Sequence, residues 1–462
     1  MATASFLPTP LSESAVGAFR ARLRGELLDP RHASYDNARR VFNAMIDKRP
    51  ALIVRPGDIE DVRRAVLFAR QQDLPLSIKG GGHSIAGSAV CEGGLMLDLS
   101  SLKTIRVDVE DQIAVADPGL LLADLDRATQ AVGLATPLGV VSVTGISGLT
   151  LGGGIGWLSG KYGLACDNLL AAEVVTAEGE CVRVSAEEHA DLFWAIRGGS
   201  GNFGVVTSFV YRLHPVGPIL GGHVVYPAER TREALRFYHE FARSAPDELS
   251  TIGYLDADDR GRTTVGISVC WCGSHREGER FLAPLRAFAP PIQDTIGVMD
   301  YTARQATSDA SYPPGQQHYW KSRWLVELDE GAIEVMLASA ATQPSGTTGH
   351  ATMALQQMHG AAARVDPAAT AFPHRRDQYD FLILSQWSDP ADAEQHSAWT
   401  REFFAAMEPF TERAVYVNNL GTEGEDRVRE GYGANYDRLA AIKAIYDPTN
   451  LFRSNQNIRP RA

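Results

Sequence analysis

Residues 78–87 read "IKGGGHSIAG" and place a histidine, His83, directly after three glycines at 80–82. The apolar residues just before them predict a short strand over 76–79. Glycine has no Cβ, so a loop of this composition allows another chemical group to approach the backbone closely. The stretch therefore indicates a binding loop with an imidazole beside whatever is bound, although a tight turn holding one histidine remains the alternative.

The composition of the chain limits the class of protein. With 462 residues it is long enough for two or three domains with buried cores. A formal net charge of -12 argues against a nucleic-acid partner, because such binding relies on clustered Lys and Arg side chains. The first residues show no leader peptide, and no stretch is apolar for the roughly 18 residues that a membrane span needs. We therefore expect a cytoplasmic protein without a membrane partner.

The cysteines indicate neither a disulfide framework nor a metal site. Their number, five, is odd, and they are spread thinly over a long chain. Cys270 and Cys272 share one face of a predicted strand, but no further ligands follow at a suitable spacing. We therefore expect no metal.

The order of predicted elements indicates an α+β fold with two parts. The first half alternates short strands with helices such as "DIEDVRRAVLFARQQD". Beyond Pro215 and Pro218, longer strands such as "TTVGISVCWCG" predict an antiparallel sheet covered by helices on one face. The chain ends in a helix stopped by Asp447-Pro448 and a polar, asparagine-rich tail. Because a tail this polar does not suit a hydrophobic core, it is predicted to contact a ligand.

A second glycine cluster, "GISGLTLGGGIGWLSGKYG" at 145–163, only approximates a dinucleotide fingerprint. One residue too many precedes its third glycine, and no clear strand and helix flank it, so a Rossmann nicotinamide site is disfavoured. Two glycine-rich turns can, however, present peptide N–H groups to an elongated anion such as a pyrophosphate. Tight turns in a β-rich domain remain the alternative for either cluster alone.

Seven stretches follow one another along nearly the whole chain. They are "LIVRPGDIEDVRRAVLFAR", "IKGGGHSIAGSAV", "GGLMLDLSSL", "SVTGISGLTLGGGIGWLSGKYGLACDNLLAAEVVTAEGE", "DLFWAIRGGSGNFGVVTSFVYRLHPV", "AFPHR" and "NYDRLAAIKAIYDPTNLFRSNQNI". Because it carries these seven stretches in this order, the chain resembles the berberine bridge enzyme-like branch of the vanillyl-alcohol oxidase (PCMH-type) FAD-linked oxidases, and within that branch the bacterial members.

The resemblance implies a fold, boundaries and a reaction. It implies a two-part PCMH-type FAD-binding domain over 1–215, a substrate domain over 216–419, and a segment over 420–462 that returns to the FAD domain. The implied activity is that of an FAD-dependent oxidase. A hydride passes from a small organic substrate, an alcohol, an amine or an activated ring carbon, to flavin N5, and O2 then reoxidises the flavin to give H2O2.

The resemblance also implies how FAD is held. In this family the histidine after the glycines is bonded covalently to the 8α-methyl group of FAD, and His83 is the matching residue. Some members add a bond from a cysteine to flavin C6, but Val141 stands at that position and Cys166 does not replace it, so no cysteinyl bond is expected. The residues expected to hold FAD are Gly80, Gly81, Gly82, His83, Ser84, Gly87, Ser88, Val141, Gly145, Gly148, Gly153, Gly156, Val206, Asn455 and Asn457.

The catalytic base is where this chain departs from the family. Many relatives have a tyrosine where Asn419 stands, and plant members use a glutamate where Gln356 or Gln357 stands; neither amide can take a proton. Tyr416 and His374 remain candidate catalytic residues beside Asn419 and Gln356, with His359 as a further one. Trp387 and Gln386 are expected to line the pocket.

Three alternatives stay open. The chain could be a flavin dehydrogenase that uses another electron acceptor, a flavin-holding protein without turnover, or a nicotinamide-linked Rossmann dehydrogenase. The partners expected are a small-molecule substrate and O2. Neither the substrate nor the oligomeric state follows from the sequence.

Overall fold

A computed structural model describes residues 11–344 and 347–461. Residues 1–10, on which the expected absence of a leader peptide partly rests, lie outside the described residues. Within the described ranges, no helix is both long and apolar enough to cross a membrane. The cytoplasmic location stays a prediction.

Three small sheets occupy the part of the chain before residue 216. The first has the strand order β1-β2-β4-β3, with β2, β3 and β4 parallel and β1 antiparallel; the second is antiparallel with the order β5-β6-β10-β8-β9; the third pairs β11 with β7. The strands are β1 (Glu26–Leu28), β2 (Leu52–Arg55), β3 (Leu76–Lys79), β4 (Leu95–Asp98), β5 (Ile105–Asp108), β6 (Ile113–Ala116), β7 (Leu134–Ala135), β8 (Leu169–Val175), β9 (Cys181–Ser185), β10 (Val205–Arg212) and β11 (His214–Pro215).

An eight-stranded antiparallel sheet follows. Its order is β15-β12-β14-β13-β18-β19-β17, and β16 also pairs with β12. The strands are β12 (Ile219–Tyr226), β13 (Leu249–Ala257), β14 (Thr263–Trp271), β15 (Gln293–Asp294), β16 (Gly297–Met299), β17 (Gln317–Leu325), β18 (His350–Met358) and β19 (Gln378–Trp387). The α+β class and the antiparallel sheet predicted from the sequence are confirmed.

The α-helices lie between these strands and after them. They are α1 (Glu13–Arg20), α2 (Tyr35–Ala38), α3 (Ile59–Gln71), α4 (Leu122–Gln130), α5 (Ile146–Leu151), α6 (Ser159–Tyr162), α7 (Ala190–Ile196), α8 (Thr231–Arg243), α9 (His275–Ala287), α10 (Tyr301–Ala306), α11 (Glu330–Ala340), α12 (Ala361–Arg364), α13 (Ala393–Ala406), α14 (Glu425–Tyr432) and α15 (Tyr436–Tyr446).

Helix α3 shows how local sequence sets an element. Asp58 caps its start by accepting a hydrogen bond from the Asp61 backbone N–H at 3.0 Å. Val62, Val66 and Ala69 recur at helical spacing and are fully buried against the first sheet. The predicted helix over this stretch is present.

Alternation along the strands gives the eight-stranded sheet two different faces. One face packs its alternate apolar residues, for example Leu355 and Phe381, under the helices α8, α9, α11 and α13 in a single core. The opposite face therefore carries the other residues of each strand and is not covered by those helices. The C-terminal helices α14 and α15 pack instead into the core of the second small sheet.

Helices α4 and α10 meet through a buried polar pair. Asp126 accepts a hydrogen bond from Gln305 Nε2 at 3.0 Å, and both side chains are buried. Burial raises the pKa of Asp126 from 3.8 to about 7. As the pH rises from 4 to 7, the unfolded chain loses this proton while the folded chain keeps it. Stability therefore falls across that range, by on the order of 4 kcal/mol for the whole shift.

We expect Asp126→Asn to remove this penalty. At pH 8 the free energy of unfolding should rise by roughly 1–4 kcal/mol, because the neutral amide no longer ionises inside the core. At pH 4, where the carboxyl is protonated, the two proteins should be nearly equally stable. Urea denaturation at both pH values measures the difference, and an equal difference at pH 4 and pH 8 would contradict the account.

Candidate functional site

A cavity of about 320 Å³ lies where the small sheets, the eight-stranded sheet and the C-terminal tail meet. Its wall is built from the loops at 80–85, 139–149 and 200–206, from the tail at 452–456, and from side chains of β17, β18 and β19. Among the described residues that line it, none is Asp, Glu, Lys or Arg. A charged ligand would therefore have to be held by peptide groups and neutral side chains.

The two glycine clusters come into contact at this cavity. A Cβ on Gly81 would lie 2.4 Å from the Gly145 backbone nitrogen, and a Cβ on Gly145 would lie 2.4 Å from the Gly81 nitrogen. Real Cβ atoms do not come that close, so neither position accepts a side chain. The crossing brings the peptide groups of both loops to one wall of the cavity, as nests for an elongated anion require.

His83 lines the cavity next to this crossing. Its Nε2 atom is buried and has no hydrogen-bond partner among the described residues. Burial lowers the pKa of His83 to about 4, so the imidazole is neutral at pH 7. A neutral ring with a free nitrogen can act as a nucleophile or a hydrogen-bonding group toward a ligand in the cavity.

An aromatic stack fixes the His83 ring. Phe42 stacks on His83 with ring centroids 3.9 Å apart and, on its other side, on His318 with centroids 4.2 Å apart. The amide of Asn43 donates to the carbonyls of Ile85 and His318 at 2.9 Å each. Residues 42 and 43 thereby connect the histidine loop to strand β17.

The uncovered face of the eight-stranded sheet forms the opposite wall. Trp320 lies across from Leu384, and Gln356 lies across from Asp380. Because residues directly opposite share a face, Gln356, Asp380, Leu382 and Leu384 all lie on the side away from the covering helices. Of these, Gln356, Leu382 and Leu384 line the cavity.

Asn419 covers Asp380. Its Nδ2 donates to Asp380 Oδ2, while Ser322 donates to the other carboxylate oxygen. Burial raises the pKa of Asp380 from 3.8 to about 7. Asn419 lines the cavity, so a carboxyl group that titrates near neutral pH touches a residue of the cavity wall.

Tyr416 reaches the same wall but is ill suited to act as a base. Its hydroxyl accepts hydrogen bonds from the Gly154 backbone N–H at 2.9 Å and from Asn418 Nδ2 at 2.7 Å. Burial raises its pKa well above 10. The phenol therefore stays protonated at neutral pH.

The structure brings most of the expected site residues to the cavity. The residues named in the sequence analysis that line it are Gly80, Gly81, Gly82, His83, Ser84, Ser88, Val141, Gly145, Gly148, Val206, Gln356, Tyr416, Asn419 and Asn455. Asn455 donates to the Gly201 carbonyl at 3.0 Å and leaves its own Oδ1 buried without a partner.

Three glycines expected to hold FAD lie outside the cavity lining. A Cβ on Gly87 would meet Ile46 at 2.6 Å, one on Gly153 would meet Phe372 at 2.8 Å, and one on Gly156 would meet the Leu138 carbonyl at 2.3 Å. Gly87 and Gly153 also have positive φ angles of 68° and 129°. These glycines allow the chain to pack on itself.

Two polar residues also lie elsewhere. His374 bonds through Nε2 to the Gly431 carbonyl at 2.8 Å, and its ring lies near Trp324 and Phe372. Burial lowers the pKa of His374 to about 4, so it is a neutral packing residue. Asn457 lines a neighbouring pocket that shares Ser88, Ser454, Asn455 and Gln456 with the cavity.

Two further candidates from the sequence also lie outside the cavity lining. His359 Nε2 bonds to the Leu249 carbonyl at 2.7 Å. Trp387 stacks on His396 of α13, on the helix-covered face of the sheet.

Apart from Gln356, the residues in and next to β17 and β19 that line or adjoin the cavity were not predicted from the sequence. Trp320 and Tyr312 line the cavity, and Asp380 lies directly under Asn419. The only available signal for Asp380 was one carboxyl within the apolar run "YDFLILSQW".

Comparisons with known proteins agree with this architecture. Residues 50–185 match a family described as "FAD binding domain", and residues 415–459 match one described as "Berberine and berberine like". A FAD-linked oxidoreductase from Dictyostelium discoideum is 32% identical over 92% of this chain and 92% of its own length. The (R)-6-hydroxynicotine oxidase of Paenarthrobacter nicotinovorans is 30% identical over 99% of both.

The fold is similar to that of a solved structure. The crystal structure of 6-hydroxy-D-nicotine oxidase from Arthrobacter nicotinovorans superposes with a TM-score of 0.88 at 30% identity, covering 98% of this chain and 100% of the other.

Proposed function

This chain belongs to the berberine bridge enzyme-like FAD-linked oxidoreductases, a family of enzymes, and we propose that it is an oxidase whose FAD is bonded covalently to His83. The observation that carries the proposal is the buried, neutral and unpartnered Nε2 atom of His83, held beside the contact of the two glycine loops. A nucleophilic nitrogen with no protein partner is what bond formation to the flavin needs.

The cavity suits FAD on several grounds. Peptide N–H groups of both glycine loops can meet a pyrophosphate without a basic side chain. The unpaired Oδ1 of Asn455 offers an acceptor to a flavin N–H. We propose that the lining glycines together with His83, Ser84, Ser88, Val141, Val206 and Asn455 hold the cofactor, and that Gly87, Gly153, Gly156 and Asn457 act by shaping their surroundings.

Attachment through His83 alone is supported by the positions of the cysteines. Val141 lines the cavity and cannot form a thioether. Cys166 is fully buried next to Arg375 and Asp167, and burial strongly raises the pKa of its thiol. A thiol held protonated there is a poor nucleophile. We therefore propose a single 8α-histidyl bond and no cysteinyl bond.

Bound FAD would supply the redox chemistry of the proposed reaction, namely acceptance of a hydride from a substrate carbon and reoxidation by O2 to give H2O2. The residues of this chain position the substrate and exclude water. Gln356 and Asn419 are amides, and the buried Tyr416 phenol does not ionise, so none of the three removes a proton at neutral pH. The proposed substrate is therefore one whose oxidation needs no protein base, such as an amine reacting as the free base.

Asp380 is proposed as a positioning residue. When ionised, it accepts from Asn419 Nδ2 and so sets the direction of the amide. When protonated, its O–H can donate to the amide oxygen instead, which favours the flipped amide. As the pH passes through about 7, the Asn419 amide should therefore change which of its two polar atoms, oxygen or nitrogen, is turned away from Asp380.

We expect Asp380→Asn to abolish a pH response of the bound flavin. The wild-type visible absorption band should shift with an inflection near pH 7, and the variant should show none between pH 6 and 8. Asp126→Asn is the matched control, because Asp126 has the same raised pKa but bonds to Gln305, which does not line the cavity. A persistent inflection in Asp380→Asn would show that another group titrates.

The oxidase activity is tested by reoxidation. Light-reduced protein mixed with air-saturated buffer should regain its oxidised spectrum rapidly and form one equivalent of H2O2. Slow reoxidation would instead favour a flavin dehydrogenase with another acceptor. A flavin-holding protein without turnover would be excluded by any substrate that bleaches the flavin without oxygen.

A further inference from the structure

The hydroxyl of Tyr416 accepts two hydrogen bonds but donates none among the described residues. Both groups bonded to it are donors, the Gly154 backbone N–H and the Asn418 side-chain N–H. The orientation of the Asn418 amide follows from its second bond, since Nδ2 also donates to the Leu149 carbonyl at 3.1 Å. The Tyr416 oxygen thus accepts two hydrogen bonds, and its own hydrogen is still to be donated.

That hydrogen has no acceptor among the described residues. Tyr416 is only 5% exposed and lines the cavity. A buried hydroxyl is costly unless its hydrogen is bonded, so the acceptor should come from what the cavity binds. The pKa of Tyr416, raised by burial, ensures that the proton stays on the oxygen.

The side-chain amides of Gln356 and Asn419, which also line the cavity, supply hydrogen-bond acceptors. Gln356 Nε2 contacts the Ile155 carbonyl at 3.4 Å, which leaves its Oε1 atom free. Gly154 and Ile155 are consecutive, so the Tyr416 hydroxyl and the Gln356 amide are held by adjacent peptide groups. Asn419 uses Nδ2 on Asp380 and also keeps its oxygen free.

Apart from the Tyr312 hydroxyl and the Asn418 amide, the rest of this wall is apolar. Tyr312 and Trp320 provide aromatic surfaces, and Leu382 and Leu384 provide aliphatic ones. With no charged side chain among the described lining residues, an ionised substrate would lose hydration without gaining a partner. A sugar carries more hydroxyl groups than the free oxygens of Gln356 and Asn419 can accept, so the others would face carbon.

We propose that the substrate is an uncharged aromatic compound that presents a hydrogen-bond acceptor to the Tyr416 hydroxyl. The proposal rests on the function proposed for the same cavity. Tyr416 then acts as a hydrogen-bond donor that orients the substrate. Because its oxygen already accepts two hydrogen bonds, its hydrogen is left for the substrate. Trp320 of the sheet and the neighbouring Tyr312 then hold the ring by stacking and edge contacts.

The test uses three ring-matched probes and the flavin-loaded protein. Acetophenone, ethylbenzene and benzoate differ at one position, where they carry a carbonyl acceptor, no acceptor and a negative charge. Each is titrated into the protein, and the change in the flavin absorption spectrum gives its Kd; cellobiose is titrated as the sugar. We expect acetophenone to bind about tenfold more tightly than each of the other three, the difference made by one hydrogen bond.

Tyr416→Phe should remove the preference of the protein for acetophenone over ethylbenzene, whereas Tyr312→Phe, which removes a hydroxyl from the same wall, should keep it.

Equal affinities in the wild type, or tighter binding of benzoate or cellobiose, would overturn the proposal while leaving the FAD function intact. So would a Tyr416→Phe protein that keeps the preference but has an altered flavin spectrum, since the donor would then serve the flavin. A folded protein without flavin would instead contradict the proposed function itself.

Discussion

His83→Ala protein is expected to release all of its flavin when it is precipitated with acid, whereas the wild-type pellet stays yellow. The substitution removes the one cavity-lining imidazole whose Nε2 atom has no partner among the described residues. The glycine loops and Asn455 remain, so the variant should still bind FAD reversibly. The yellow colour should therefore be found in the supernatant.

Turnover of the His83→Ala protein should also fall. A covalent bond withdraws electrons from the flavin and favours its reduction, so its loss should slow flavin reduction by about tenfold or more, equivalent to roughly 1.4 kcal/mol of barrier. His318→Ala is the matched control, because His318 is also buried, neutral and stacked on Phe42. If His83→Ala kept its flavin in the pellet, the attachment would lie elsewhere.

Arg375→Met is expected to destabilise the protein by about 3–5 kcal/mol. The Arg375 side chain is completely buried and donates to both carboxylate oxygens of Asp167, at 2.7 and 2.8 Å. It also donates to Thr370 and to the Ala362 carbonyl. Removing the guanidinium leaves the Asp167 carboxylate without its cation.

Urea denaturation measures this loss. Arg376→Met is the control, because Arg376 pairs with Glu412 at the surface and such pairs contribute only about 0–1 kcal/mol. Adding Asp167→Asn to Arg375→Met should recover part of the stability, because the unpaired charge is then gone. A loss below about 1 kcal/mol in the single variant would mean that the pair contributes little.

Part of the site could be predicted from local sequence. Residues 80–84 form a loop whose backbone packs against another chain segment, and this needs glycine wherever it occurs. The asparagine-rich tail was also recognisable, since Asn455 is too polar for a core. Composition cannot, however, separate glycines that allow a ligand to approach from those that allow another chain segment to approach, and it does not show that Gly153 and Gly156 lie outside the cavity lining.

Apart from Gln356, the sheet residues of the cavity wall could not be predicted, because only the packed fold shows which face of the sheet meets the cavity. The alternation of β19 separates Leu382 and Leu384 from Trp387, but nothing local says which set faces the ligand. Trp387 was therefore expected in the pocket, while Trp320 and Asp380 were missed. The Arg375–Asp167 pair likewise joins residues far apart in the chain, and only the packed fold brings them together.

The most direct test of the account is the mass of the denatured, purified protein. The mass should equal that of the chain plus one FAD less two hydrogen atoms, because the new C–N bond replaces one C–H bond of the 8α-methyl group and the N–H bond of the imidazole. Digestion should locate the added mass on the peptide that contains His83. A folded, yellow protein whose denatured mass is that of the bare chain would contradict covalent attachment at His83.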